Sequence, residues 1–149
     1  MRIALLSDLH LSVQGLEHPR TDADVVVLAG DLSRPAGAID WAKHFDRPTL
    51  FVAGNHEFYG SDLVTTYALL RKHAAGTQVR VLERDAWIHE GVRFLGCTLW
   101  SDQRLYESPE HREAGLQQAM TFNRDFSRIR LAPDFDQVFS PAASQLLFD

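Results

Sequence analysis

The sequence predicts an α/β fold: a mostly parallel sheet flanked by helices, with an added antiparallel hairpin. Three observations lead there. Val25–Ala29 and residues 50–53 (Leu-Phe-Val-Ala) are continuous apolar runs, the pattern of parallel strands covered on both faces. Between them Ala38, Ile39, Trp41, Ala42 and Phe45 recur at helical spacing, which makes a βαβ crossover. Further on, Glu90-Gly91 separates two strand-like runs, 86–89 and 92–99, as a hairpin turn does. A chain of 149 residues that is 45% hydrophobic has enough apolar surface for one domain with one core.

Taken in order, Ile3–Leu6 is the first strand. Residues 11–24, with Gly15 and Pro19, read as a loop holding at most a short helix. The second strand, the crossover helix ended by Arg47-Pro48 and the third strand follow. Ser61 is placed to cap a helix over about 62–75, with Leu63, Val64, Tyr67, Leu70 and Ala74 on one face and Gly76 as its stop. A fourth strand over 79–82 precedes the hairpin. Ser108 and Pro109 open a helix to about Phe122, and Phe126, Ile129 and Leu131 suggest a short packed segment. Ser140-Pro141 then starts a last short helix.

The lone cysteine, Cys97, has no disulfide partner and reads as a small buried hydrophobe in a reducing compartment. The apolar start stops after four residues, far short of a signal peptide or a membrane span, so the expected location is the cytoplasm and no membrane partner is expected. A net charge of −5 argues against an extended nucleic-acid footprint. It leaves anionic substrates open, because a bound divalent ion can turn an acidic pocket into a phosphate site.

The chemistry lies in three clusters: Asp8-Leu9-His10, Gly30-Asp31 and Gly54-Asn55-His56-Glu57. Each follows a strand-like run, so the polar groups collect at the C-terminal edge of the sheet, where open α/β sheets bind ligands. Carboxylate, imidazole and amide oxygen suit divalent ions. Asp8 and His10 are positioned to share one ion, Asp31 to bridge two, and Asn55 to give an amide oxygen to the second. Such a pair clamps a phosphoryl oxygen and lowers the pKa of a bridging water toward ~7. His56 would then stand on the leaving-group side as a general acid, with Glu57 hydrogen-bonded to its imidazole.

These motifs, in this order and after strands, resemble the first three motifs of the calcineurin-like metallophosphoesterases. The run 91–100, Gly-Val-Arg-Phe-Leu-Gly-Cys-Thr-Leu-Trp, is similar to a stretch common in bacterial members. The resemblance implies an α/β sandwich and metal-dependent hydrolysis of a small phosphate ester. Asp8 and His10 would ligate the first metal, Asp31 would bridge, Asn55 would ligate the second, and His56 would act near the leaving group. Mn²⁺, Fe or Zn²⁺ all suit such ligands. The family closes its site with a later histidine and a Gly-His-x-His segment, whereas no histidine follows His111 here. The expectation is therefore a single, incomplete domain with a weakened second metal position, and a partner segment that supplies the histidines. The alternative is a truncated, catalytically weak or inactive homologue acting at most as a metal-binding or assembly module.

Overall fold

The computed structural model describes residues 1–134 and 138–149. The chain divides into two compact units, Met1–Glu57 with Thr66–Thr98, and Phe58–Thr65 with Leu99–Asp149.

The first unit is built on a four-stranded parallel sheet of β1 (Ile3–Leu6), β2 (Val25–Ala29), β3 (Thr49–Val52) and β5 (Val79–Val81), in the order β1-β2-β3-β5. Leu5 pairs with Val27, Val27 with Leu50, and Phe51 with Val81. Helix α1 (Pro35–Ala42) connects β2 to β3, and α2 (Leu63–Ala74) precedes β5. The two helices bury Ala38, Ile39, Ala42, Leu70 and Ala74, and the strands bury Val26, Leu28 and Phe51 completely or nearly so. Because successive strand residues point to opposite faces, Val25 and Leu50 belong to the other side. There they form a cluster with Leu82, against which Val27, Val52, Trp87 and Phe94 pack.

Trp87 and Phe94 come from the antiparallel hairpin of β6 (Asp85–His89) and β7 (Val92–Gly96), where they pair directly. Gly96 permits the fit: a Cβ there would stand 2.5 Å from Leu82 Cβ and 3.1 Å from Val52 Cγ2. The architecture is thus the α/β arrangement expected, a parallel sheet flanked by helices with an added antiparallel pair. Two details differ. β1 is an edge strand whose Ile3 and Leu5 are 51% and 67% exposed, so the two-sided cover implied by apolar runs applies to β2 and β3 only. Cys97 is exposed rather than buried, since the strand pairing ends at Gly96.

The second unit contains β4 (Ser61–Asp62), α3 (Pro109–Phe122), α4 (Asp125–Arg128), β8 (Ile129–Arg130) and α5 (Pro141–Phe148). Ser61 does not cap α2. It pairs with Ile129 in a two-residue parallel ladder, and Asp62 takes the capping role, its Oδ1 accepting from the Thr65 N–H at 2.7 Å. The serines at the starts of α3 and α5 cap as expected, Ser108 Oγ accepting from His111 N and Ser140 Oγ from Ala143 N. Trp100 and Phe139 (4.4 Å between ring centroids), with Phe58 and Phe126, form an aromatic core. Among the described residues no helix is long and apolar enough to cross a membrane.

Candidate metal centre

All candidate ligands lie in the first unit, on the three loops that leave β1, β2 and β3 at the same edge of the sheet. The loops are fastened to one another by backbone hydrogen bonds that continue past the strands. Asp8 N donates to Gly30 O (3.0 Å), His10 N to Asp31 O (2.9 Å) and Leu11 N to Leu32 O (2.8 Å). The β1 loop is thereby zipped to the β2 loop, which carries Asp8 and His10 alongside Asp31.

The third loop is tied in by two acids. Asp31 Oδ1 accepts from the His56 N–H at 2.9 Å. Glu57 is fully buried at the head of the short 3₁₀ turn His56–Phe58. Its Oε1 accepts from Leu32 N (2.8 Å) and Ser33 N (3.2 Å), and its Oε2 from Asp31 N (2.9 Å) and Gly54 N (2.7 Å). Glu57 therefore holds backbone on two loops instead of the His56 imidazole, contrary to the expectation from adjacency. Burial pushes its carboxyl above the ordinary range, and the charge of Asp31 pushes the same way. The N–H groups of Asp31, Gly54 and Leu32 pull against them.

Close approach of the loops depends on two glycines. A Cβ on Gly54 would lie 2.2 Å from Asp31 Oδ1, and one on Gly30, whose φ is +89°, would lie 2.6 Å from Gly54 N. Three candidate ligands also adopt left-handed backbone conformations: Asp8 (φ 54°), His10 (φ 44°) and Asp31 (φ 57°). Non-glycine residues held there cost on the order of 1–3 kcal/mol each, and such strain clusters at functional sites.

The result is a compact donor set. Single ligand atoms of His10, Asp31 and His56 all lie within 4.8 Å of one another, and the His10 and His56 rings meet edge-on at 4.6 Å. Asp8 stands on the same zipped loop, exposed, with its carboxylate outside that group of three. Asn55 sits between Gly54 and His56. His56 thus belongs to the donor cluster itself, a position the general-acid reading did not assign to it. Arg34 was also not singled out by the sequence: its Nη1 donates to the His56 carbonyl at 2.9 Å, which stations a guanidinium beside the same loop. Nothing local marks Arg34, because its partner lies 22 residues away.

Two imidazoles and a carboxylate within one ion's reach, in a cradle that a single Cβ would fill, fit a divalent transition metal. Parallel-sheet loops converge here on a donor set that could hold a metal ion. The family model of the calcineurin-like phosphoesterases matches residues 1–140, and the chain belongs to that family. No curated protein matches the sequence.

Proposed function

We propose that this chain hydrolyses a phosphate ester with the help of a divalent metal held at the C-terminal edge of the parallel sheet. The observation that carries the reading is the convergence of His10, Asp31 and His56 within 4.8 Å, on a family match over residues 1–140. His10 and Asp31 would hold the ion together with Asp8, and Asp31 and Asn55 would hold a second. Bound there, the metal would supply Lewis acidity toward a phosphoryl oxygen and an attacking water. The residues do the rest. Gly30 and Gly54 let the loops close on the ligand, Glu57 fixes the Asp31 backbone, and Asp31 Oδ1 holds the His56 N–H so that the imidazole faces the crevice. In the primary reading His56 passes a proton to the leaving oxygen, a contribution of about 10² to 10⁴ in rate.

A second reading is favoured by the same cluster: His56 ligates the metal. The two are separated by His56→Gln, assayed on bis-p-nitrophenyl phosphate and p-nitrophenyl phosphate with Mn²⁺ alongside calorimetric Mn²⁺ titration. A proton donor loses kcat while Mn²⁺ affinity stays; a ligand loses both. Absence of Mn²⁺-dependent turnover on both substrates, in protein shown to be folded, would overturn the hydrolase proposal. The chain would then be read as a metal-binding module.

A further inference from the structure

Arg34 is the one lysine or arginine in the three segments that build the metal centre, residues 7–14, 30–34 and 53–58, where Asp8 and Asp31 carry the opposite sign. It stands at the end of the β2 loop, immediately before α1 and three residues after Asp31, and it is exposed. Its Nη1 donates to the His56 carbonyl at 2.9 Å. The His56 ring supplies one of the three clustered ligand atoms, so the guanidinium is no farther from that atom than the length of one histidine plus a hydrogen bond. What this contact leaves unused matters most. A carbonyl is neutral, so the bond orients the guanidinium without cancelling its charge, and it occupies one of five N–H donors. Among the described residues Arg34 makes no ion pair, whereas Arg2, Lys43 and Arg104 each pair with an aspartate. A planar cationic fork held in this way matches phosphate oxygens, which it binds through charge-assisted hydrogen bonds.

We propose that Arg34 is a substrate-binding residue of the metal centre: it takes terminal oxygens of a phosphoryl group held at the His10/Asp31/His56 cluster, and it biases the site toward phosphomonoesters. The inference rests on the phosphoester reading for the ligand and on the Arg34–His56 contact for the residue. Asp8 and Asp31 offset the charge of a divalent ion, so Arg34 is the remaining positive charge on these segments that can meet the substrate's own. A monoester carries about two negative charges above its second pKa of about 6, a diester a single one. The attraction of a fixed guanidinium scales with that charge. A monoester also presents three terminal oxygens against the two of a diester, which leaves more acceptors for a fork that is already oriented.

Arg34→Gln and Arg34→Lys are compared with the wild type in the full chain, with folding checked by circular dichroism. Binding is read without turnover: inorganic phosphate and dimethyl phosphate are titrated at about pH 8 against Mn²⁺-loaded protein and followed by the phosphorus NMR line broadening that the paramagnetic ion causes. Arg34→Gln should weaken phosphate binding by about 10-fold, the lower end for a bond to a charged group because the side chain is exposed. Dimethyl phosphate should lose less, and Arg34→Lys, which keeps the charge without the fork, should fall between wild type and Arg34→Gln. Mn²⁺ affinity in calorimetry should hold or rise, since a cation has left the neighbourhood of the ion. In turnover, KM for p-nitrophenyl phosphate should rise more than KM for bis-p-nitrophenyl phosphate. An arginine that merely braces the His56 carbonyl would lower kcat or Mn²⁺ affinity instead and leave phosphate binding intact. Wild type that does not broaden phosphate, Arg34→Gln that broadens it as wild type does, or equal losses for the two anions would overturn the proposal. The hydrolase reading fails separately: Arg34-dependent phosphate binding without turnover would keep the residue's role and remove the hydrolysis, and turnover with phosphate binding indifferent to Arg34 would do the reverse.

Discussion

The substitution that tests the architecture of the metal centre most directly is Glu57→Gln. The carboxylate accepts four backbone N–H groups, two on each oxygen. A glutamine keeps one oxygen and turns an NH₂ toward the other pair, so two bonds are lost and two N–H groups face a donor. At about 1.5–3 kcal/mol for a bond to a charged group, the gross loss is about 3–6 kcal/mol. Removing a buried charge offsets part of this, leaving a net destabilisation of about 2–4 kcal/mol. For a chain of this size that lowers Tm by about 6–12 °C. Since Asp31 and Gly54 are among the groups released, Mn²⁺ affinity should also fall by about 10- to 100-fold, as when the partners that orient metal ligands are removed. Thermal melts and calorimetric titration of wild type and variant measure both effects. A Tm within about 2 °C of wild type would refute the clamp.

The same residue carries a pH signature. Its folded pKa is raised above the ordinary value of 4.5, mainly by burial. Between those two values the folded chain binds more protons than the unfolded one, so the Glu57 contribution is complete below 4.5 and declines as pH rises through the folded value. Glutamine does not titrate. The stability gap between wild type and Glu57→Gln should therefore narrow with rising pH across that window. A gap that widens would mean that the four N–H donors outweigh burial.

Gly54→Ala places a Cβ 2.2 Å from Asp31 Oδ1 and 2.8 Å from Asp31 N, and should cost about 1–3 kcal/mol and at least tenfold in Mn²⁺ affinity, read by melts and calorimetry. Asp31→Ala should weaken Mn²⁺ binding more than Asn55→Ala, because a carboxylate contributes charge where an amide gives a neutral oxygen; equal losses in calorimetry would count against these roles. Asp8→Gly relieves a left-handed backbone at φ 54° on an exposed residue, so the metal-free variant should be as stable as wild type or up to about 1 kcal/mol more so, while binding Mn²⁺ less well.

What could be read from the sequence follows the reach of each signal. The serine caps followed by proline at 108–109 and 140–141 are local, and α3 and α5 begin where those pairs stand. The crossover helix begins at Pro35, three residues ahead of its first buried position at Ala38; no side chain caps its start, and only the proline marks it. Ser61 reads as a cap until its strand partner is known, and that partner is Ile129, far along the chain. The metal centre divides in the same way. Asp8, His10 and Asp31 are marked by their positions after strands, whereas the place of His56 among the donors and the service of Glu57 to residues 31–33 depend on loop contacts about 25 residues apart.

Those contacts also explain how the chain tolerates its own site. Asp8, His10 and Asp31 all sit at positive φ, a combined cost of several kcal/mol by the usual ~1–3 kcal/mol each. Their own loops supply few bonds against it: Asp8 N and His10 N each donate once to the neighbouring loop, and the His10 carbonyl accepts from Val13 N and Gln14 N. The compensating interactions come from the third loop, where one buried acid satisfies four backbone donors and Asp31 fastens His56. Strain on the first two loops and satisfaction on the third are therefore coupled, and the same contacts that support the fold hold the ligand atoms of His10, Asp31 and His56 within 4.8 Å of one another. For that reason weakening Glu57 should be felt in melting temperature and in metal affinity together.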